Sequence, residues 1–195
     1  MKLGEYELNQ IYTGDARELA NGIPDESVDL IFTDPPYPKK YQGAFDSLGS
    51  FSSRVLKNGR RLLTLLGHYQ VPSVMSILSA TLEYDWIIAY AKHGKTAAMF
   101  QKRVWACWKP CLVYRKGRID NHQNFAMDLF NMNVKSISHA KQFHKWGQGT
   151  DFFGYYIERW TKPGDIIIDP FCGGGSSLVA CKTLNRNFIG FEIDP

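Results

Sequence analysis

The stretch from Ile166 to Ser176, which reads IIIDPFCGGGS, decides the fold of this chain. Three β-branched apolar residues predict a short buried strand, and the three glycines after it predict a tight turn. A helix from Ser177 to Leu184 and a second strand from Phe188 to Ile193 follow. Strand, turn, helix and strand together form a βαβ unit, in which the two strands run parallel.

The glycine turn favours a ligand that approaches the backbone closely. Glycines lack the Cβ that would block such an approach, and the start of a helix presents N–H groups without intrahelical partners. In nucleotide-binding βαβ units an acid at the end of the next strand holds the ribose hydroxyls, and Glu192 follows Gly173 by nineteen residues. The spacing is not the dinucleotide pattern GxGxxG and no P-loop is present, although NAD and a plain tight turn both stay open at this point.

The rest of the chain alternates between strand-like and helix-like segments, which predicts an α/β fold. Further strands are predicted at Leu8 to Tyr12, Val28 to Phe32, Arg61 to Leu66, Trp86 to Tyr90 and Val104 to Tyr114. Helical segments are predicted at Ala16 to Ala20, Phe45 to Leu56 (stopped by Asn58-Gly59), Val71 to Leu82 and Phe152 to Trp160. We therefore expect a single domain over residues 1–195, with a mostly parallel sheet and helices on both faces.

A second motif, Asp34-Pro35-Pro36-Tyr37, lies just beyond the apolar run from Val28 to Phe32. The two prolines make the turn rigid and leave backbone carbonyls free to accept hydrogen bonds, because proline has no N–H. Asp34 and the Pro35 carbonyl could accept from both N–H groups of a planar amine and favour a tetrahedral, attacking nitrogen, while Tyr37 stacks on the ring. The alternative is an ordinary loop, since Asp-Pro and Pro-Pro commonly mark turns.

Together the two motifs resemble those of the amino-methylating DNA methyltransferases, in which [DNS]PP[YFW] contacts the target base and a DPFxGxGT-like loop contacts the cofactor. The order found here, with the base motif first, is similar to the circularly permuted beta-type arrangement and implies a Rossmann-like, SAM-dependent methyltransferase fold. The resemblance spans about Tyr12 to Asp194. It implies transfer of a methyl group from S-adenosylmethionine (SAM) to N6 of adenine in double-stranded DNA, as in restriction–modification systems. The alternatives are N4 of cytosine, RNA adenine, a protein glutamine amide, or an inactive nucleic-acid-binding module.

The resemblance also assigns residues to two sites. It places Asp34, Pro35, Pro36 and Tyr37 in the base site. It places Asp15, Asp169, Pro170, Phe171, Gly173, Gly175, Ser176 and Glu192 in the cofactor site, with Asp15 near the adenine and Glu192 on the ribose. The region from His144 to Ile157 would close over the methionine part of the cofactor, with Lys145 and Trp146 as candidates.

Two features depart from the family pattern. Ser176 and Ser177 stand where threonines are usual, which keeps the hydroxyl group. The sequence also ends at Pro195, directly after the ribose strand, where a helix would follow. In the permuted order this omission is tolerable; the alternative is that the sequence is cut from a longer protein.

The net charge of +4 is mild, but the charge is unevenly distributed. Between Lys92 and Arg118 there are eight Lys or Arg residues and no Asp or Glu. This basic stretch also contains Phe100, Trp105, Trp108 and Tyr114, which suits contact with DNA phosphates and bases. The alternative is that its aromatic residues belong to a core strand. We expect a small irregular DNA-recognition region within about residues 92–145.

Other classes of protein are disfavoured by the sequence. The four cysteines and five histidines match neither a disulfide scaffold nor a zinc pattern, so we expect no metal. Pro110-Cys111 resembles the Pro-Cys nucleophile of cytosine-C5 methyltransferases, but it lies in a strand-like run, so we interpret Cys111 as a core residue. No apolar run of about 18 residues and no secretion signal are present, which predicts a soluble, cytoplasmic protein of bacterial or phage origin without a membrane partner. A homodimer stays open.

Overall fold

The computed structural model describes residues 1–36, 43–91, 97–119, 123–131 and 150–194. Its strands are β1 (Lys2–Leu3), β2 (Tyr6–Glu7), β3 (Gln10–Thr13), β4 (Val28–Thr33), β5 (Leu56–Leu65), β6 (Glu83–Ala91), β7 (Ala97–Met99), β8 (Val104–Ala106), β9 (Lys109–Arg115), β10 (Leu129–Asn131), β11 (Ile166–Asp169) and β12 (Asn187–Glu192). Its α-helices are α1 (Ala16–Leu19), α2 (Gly43–Val55), α3 (Val71–Leu78), α4 (Thr150–Trp160) and α5 (Ser176–Thr183).

Eight strands form one sheet in the order β10-β6-β9-β5-β4-β11-β12-β3. The neighbours in this sheet are parallel, except that β9 runs antiparallel to both β5 and β6. The carboxyl ends of the parallel strands therefore share one edge of the sheet, and the amino end of β9 lies at the same edge. We call this the carboxyl edge. The prediction of a mostly parallel α/β fold is confirmed.

Strand β4 lies near the middle of the sheet and is buried at all six positions, as the apolar run predicted. Its side chains point to opposite faces. Ile31 belongs to a core cluster with residues of α2 and α3, whereas Leu30 and Phe32 belong to a second cluster with residues of α4 and α5. Helices therefore cover both faces of the sheet, and both core clusters meet at this strand.

Helix α5 and the glycine loop pack on β12 at a glycine of that strand. A Cβ on Gly190 would lie 2.5 Å from Leu178 Cδ1 and 3.0 Å from Cys172 Sγ. A larger residue at this position would require the Leu178 and Cys172 side chains to shift. Gly190 thus leaves room for these side chains against the strand.

The prediction that Asn58-Gly59 ends a helix is wrong. Helix α2 ends at Val55 and the chain passes directly into β5, so both residues lie inside that strand. The pairing with β4 moves from Val28–Leu56 to Leu30–Arg61, which marks an irregularity in the ladder. Gly59 has φ +80° there, and its N–H donates to the Lys116 carbonyl at 2.6 Å. The glycine serves a bulge within a strand and not a helix end.

The predicted strand from Val104 to Tyr114 is two strands in different sheets. It breaks at Cys107 and Trp108, so that β8 pairs with β7 in a separate two-stranded ribbon while β9 enters the main sheet. The described parts of residues 92–145, within which a small irregular DNA-recognition region is predicted, contain β7, β8, β9 and β10. β10 pairs in parallel with β6. Tyr114 of β9 is fully buried, so this aromatic residue of the basic stretch belongs to the core.

Several further observations concern the function classes considered above. Among the described helices, none is long and apolar enough to cross a membrane. Within the described ranges, no group of three or more His, Cys, Asp or Glu side chains could hold a metal ion. The four cysteines are free thiols, and Cys111 is fully buried, as its interpretation as a core residue expected. Burial raises the pKa of its thiol well above the ordinary value, which disfavours the thiolate that a nucleophile needs.

Candidate active site

The two sequence motifs meet because the strands that carry them are neighbours. β4 and β11 pair in parallel, with Ile31 opposite Ile168, so their carboxyl ends lie side by side. The hydroxyl of Thr33, the last residue of β4, donates a hydrogen bond of 2.6 Å to Asp169 Oδ1, at the end of β11. Asp34 follows Thr33 directly. The base motif and the glycine loop therefore leave the sheet from adjacent positions.

The Asp169 carboxyl is buried beneath the glycine loop. Besides Thr33, it accepts hydrogen bonds from the Ser177 hydroxyl and, at 3.1 Å, from the backbone N–H of Phe171. Burial raises its pKa to about 6, and these three donors oppose the rise. The nearby negative charge of Asp34 raises it further. Asp169 thus joins the end of β4, the loop and the first turn of α5, and lies behind the loop surface.

The glycine loop presents an open backbone. Gly173 and Gly175 have φ of +47° and +75°, a conformation that L side chains rarely adopt. A Cβ built on Gly174 or Gly175 would meet no atom within 4 Å, so the space above these glycines is empty. Gly175 caps α5, whose first residue is Ser176. The start of a helix therefore faces this space with its N–H groups.

Glu192 lies beside the loop, as its spacing predicted. Its Oε2 accepts a hydrogen bond of 2.7 Å from the Gly173 N–H. Its Oε1 accepts from the N–H groups of the two residues that follow it, at 3.0 and 3.1 Å. These donors orient the carboxylate at the carboxyl end of β12 without consuming all the lone pairs of its two oxygens.

Asp15 lies at the same edge of the sheet. Its neighbour Gly14 donates to the Glu192 carbonyl at 2.8 Å, and Asp15 itself caps α1 by accepting from the Arg17 N–H at 2.9 Å. The Arg17 guanidinium also pairs with the Asp15 carboxylate. Hydrogen bonds from Arg17 lower the pKa of Asp15 below its ordinary value. The pair stays ionised and lies beside Glu192.

A cavity of about 300 Å³ opens between α1, α2 and the loop. Its lining includes Pro170 and Phe171 of the loop, Ala16 and Arg17 of α1, and Leu48 and Phe51 of α2. Its volume is at the small end of the range for ligand pockets. An apolar wall with an aromatic ring suits a flat heterocycle.

The Asp34 carboxylate is paired with a residue that the sequence analysis did not connect to it. Lys109 Nζ donates to both carboxylate oxygens, at 2.8 and 3.0 Å. Lys109 opens β9, and since that strand is reversed, its first residue lies at the carboxyl edge. Pro35 is buried and Pro36 half-buried, which holds the turn. Nothing local in the sequence signals a contact across 75 positions.

Some predicted site residues lie outside the described residues. These are Tyr37 of the base motif, and Lys145 and Trp146 of the region expected to close over the cofactor. Of that region, the part from Thr150 onward forms the start of α4. The structure brings the other predicted residues together along the carboxyl edge of β3, β4, β11 and β12.

Comparison with known proteins shows the family of this chain. A family model for N6/N4 methyltransferases, described as DNA methylase, matches residues 28–195. The chain belongs to this DNA methylase family. The match includes the base motif and the glycine loop, and it begins at the first residue of β4.

Individual relatives are similar over nearly the whole chain. The type II methyltransferase M.BamHI of Bacillus amyloliquefaciens is 27% identical over 239 residues, covering 96% of this chain and 55% of the relative. M.HinfI of Haemophilus influenzae is 24% identical over 239 residues, covering 95% of this chain and 65% of the relative. This DNA methylase chain thus spans between about half and two thirds of the length of these relatives.

Solved structures show the same fold. The M1.HpyAVI–SAM complex has a TM-score of 0.72 at 22% identity, covering 95% of this chain and 93% of that chain. The PvuII DNA methyltransferase, described as cytosine-N4-specific, has a TM-score of 0.78 at 18% identity, covering 95% and 82%. The predicted methyltransferase fold is confirmed, whereas the acceptor base is not distinguished.

The raised pKa of Asp169 makes a testable contribution to stability. Its pKa in the folded chain is about 6, against an ordinary value of 3.8, so the folded chain holds this proton more tightly than the unfolded chain. The free energy of unfolding therefore falls by about 3 kcal/mol through this group as the pH rises from about 4 to 6, and changes no further above that. Asp169→Asn, which stays neutral, removes this contribution.

Urea unfolding of both proteins at pH 4 and pH 7 measures the effect. The free energy of unfolding of Asp169→Asn minus that of the unsubstituted protein should be about 3 kcal/mol more favourable to the variant at pH 7 than at pH 4. Asp25→Asn, at an exposed carboxylate, serves as the control. An identical pH dependence in the Asp169→Asn and unsubstituted proteins would contradict the raised pKa.

Proposed function

We propose that this chain transfers a methyl group from SAM to N6 of adenine in double-stranded DNA. The observation that carries the proposal is the hydrogen bond between Thr33 and Asp169, which holds the base motif against the glycine loop. The amine that accepts the methyl group, bound by Asp34, and the methyl donor, bound at the glycine loop, would then lie next to each other. Membership in the DNA methylase family supports the same assignment.

The residues around the loop fit SAM. Glu192 offers carboxylate oxygens to ribose hydroxyls, and Phe171 lines a cavity that suits an adenine ring. The empty space above Gly174 and Gly175 admits the part of the molecule that links ribose and amino acid. When bound, SAM supplies an electrophilic methyl group. Two of the related solved structures are SAM complexes, those of M1.HpyAVI and of a Thermus thermophilus modification methylase.

Asp34 and the Pro35 carbonyl prepare the amine for attack. An aromatic amine conjugates its lone pair with the ring, so it is a weak nucleophile. Two acceptors that bind both of its N–H groups favour a tetrahedral nitrogen with an available lone pair. Direct transfer from such a nitrogen needs no covalent bond to the protein, which agrees with the burial of Cys111. Alignment of the two reactants then supplies much of the rate.

Lys109 acts on this step through Asp34. Its ammonium donates to both carboxylate oxygens and leaves their remaining lone pairs to accept hydrogen bonds from the amine. It also holds the carboxylate in one orientation at the carboxyl edge. Lys109 is therefore a positioning residue in our proposal.

The preference for adenine rests on the residue before Pro35. Asp at this position is a tendency of adenine-specific members of the family, and the alternative acceptor is N4 of cytosine. The fold cannot separate the two, since the PvuII enzyme described as cytosine-N4-specific has the same architecture. Nucleoside analysis of methylated DNA distinguishes them directly.

The first prediction concerns Asp34. With tritiated SAM and unmethylated plasmid DNA, the protein should label N6-methyladenine, and Asp34→Ala should lower the transfer rate by a factor of about 10² to 10³, because one of two acceptors on the amine is lost. Asp25→Asn, at the other end of β4, should leave the rate unchanged. Full transfer by Asp34→Ala would rule out the base site, and label on cytosine, RNA or protein would rule out adenine in DNA.

The second prediction concerns Lys109. Lys109→Met should lower kcat by about 10- to 100-fold, because the Asp34 carboxylate is no longer held in one orientation. The affinity for SAM should stay the same, because the cofactor site is unchanged. Lys109→Arg, which keeps a cation, should recover part of the rate. Lys116→Met is the matched control, since it removes an ion-paired lysine just beyond the other end of β9. A kcat for Lys109→Met within twofold of the unsubstituted value would exclude a positioning role.

The third prediction concerns Glu192. Glu192→Ala should weaken SAM binding by about 10- to 100-fold, because charge-assisted hydrogen bonds to the ribose and the anchor of Gly173 are both lost. Isothermal titration calorimetry measures the change, and circular dichroism checks that the variant is folded. Exposed Glu5 provides the control substitution, Glu5→Ala. If Glu192→Ala is folded and binds SAM as tightly as the unsubstituted protein, the predicted cofactor site is wrong.

A further inference from the structure

The two-stranded ribbon of β7 and β8 stands apart from the main sheet. Among the described residues its strands pair only with each other, with Met99 opposite Val104 and Ala98 opposite Trp105. A short 3-10 turn from Phe100 to Lys102 joins them. We call residues 97–106 the ribbon. Isolated two-stranded ribbons are at best marginally stable in water, so a partner that covers this one would stabilise it.

Both faces of the ribbon expose apolar side chains. Directly opposite residues of an antiparallel pair share a face, so Met99 and Val104 lie on one face and Trp105 on the other. All three are exposed, Trp105 to 66%, and Phe100 at the tip is exposed to 83%. Clustered exposed apolar residues mark contact surfaces.

The positive charge of the ribbon favours an anionic partner. Lys102 and Arg103 lie beside Phe100 at the tip, and both are exposed. The chain has no Asp or Glu from position 92 to position 118, so no acid in the ribbon offsets these cations. Aromatic and basic side chains that alternate on one surface are typical of nucleic-acid contacts.

The base of the ribbon is anchored at the carboxyl edge. His68 Nε2 is hydrogen-bonded to the Trp108 carbonyl at 2.7 Å, and the two rings meet edge to face at 4.6 Å. The next residue, Lys109, contacts Asp34. Arg103 is six positions before Lys109, so the tip lies within about 20 Å of that residue, or about six base-pair steps.

We propose that the ribbon enters a groove of duplex DNA beside the target base. Phe100 contacts base edges or the base stack, and Lys102 and Arg103 neutralise phosphates on either side. A two-stranded ribbon fits the major groove of DNA, which is about 12 Å wide. This inference rests on the proposed function, because it takes the duplex held at Asp34 as the partner.

Separate measurements on the full chain test the apolar and the charged parts. Fluorescence anisotropy with a labelled 40-base-pair unmethylated duplex, with S-adenosylhomocysteine present, gives Kd at several salt concentrations. Phe100→Ala should weaken binding about tenfold without changing the salt dependence, since an aromatic ring displaces no counterions. The double variant Lys102→Ala/Arg103→Ala should lower the slope of log K against log salt by about 2.

Controls come from exposed residues on other elements than the ribbon. Ile11→Ala on β3 and Lys182→Ala on α5 remove an apolar and a charged side chain, and both should bind DNA as the unsubstituted protein does. SAM affinity, measured in parallel, should be the same in every variant. A variant with lowered SAM affinity would report damage to the fold and would be replaced by Phe100→Leu or Arg103→Gln.

The outcomes separate this inference from the proposed function. If the unsubstituted protein methylates DNA and the ribbon variants bind the duplex with unchanged Kd and salt slope, the ribbon is not a DNA-contact element. If the protein neither binds nor methylates duplex DNA, both proposals fall together. If sedimentation shows a dimer that Phe100→Ala dissociates while DNA affinity is unchanged, a second copy covers the ribbon and the DNA assignment is overturned.

Discussion

The hydrogen bond from Thr33 to the buried Asp169 carboxyl joins the ends of two neighbouring strands of the main sheet, β4 and β11. On one side the chain turns at once into the base motif, and on the other into the glycine loop. Ser177 and the Phe171 N–H bind the same carboxyl, so the first turn of the helix after the loop is held by it as well. The relative position of the two halves of the site depends on one buried acid.

This arrangement separates structural from chemical roles among the acids of the edge. Asp169 is buried and its pKa is raised, whereas Asp34 is more exposed and is paired with Lys109. Asp15 and Glu192 lie further along the edge, where backbone N–H groups orient them. Acids that look alike in the sequence are therefore divided by burial and by the charge of their partners.

Much of the fold and part of the site could be predicted because their signals are local. The apolar run Val28 to Phe32 predicted a doubly covered strand, and the distance from Gly173 to Glu192 predicted a contact that the structure contains. Each of these depends on the period of one strand or on one βαβ unit. Elements and contacts that span up to about twenty residues could therefore be predicted from the sequence.

The features that could not be predicted depend on the order of strands in the sheet. The contact of Lys109 with Asp34 exists because β9 is inserted in reverse between β5 and β6, which no short pattern in the sequence shows. Asn58-Gly59 has the composition of a helix end, but the ladder with β4 uses it as a bulge. Composition also failed to divide β8 from β9, since both are rich in strand-forming residues.

The pairing of distant strands has a consequence for how the chain folds. Thr33 and Asp169 are 136 positions apart, and Asn9, just before β3, is hydrogen-bonded to Phe188, 179 positions away. β3 thus gains its neighbour β12, and β4 gains its second neighbour β11, only when the last third of the polypeptide is in place. Such non-local pairing slows folding, because loop closure is completed before the contacts stabilise it. During synthesis on the ribosome, β4 would therefore keep one edge unpaired until β11 emerges.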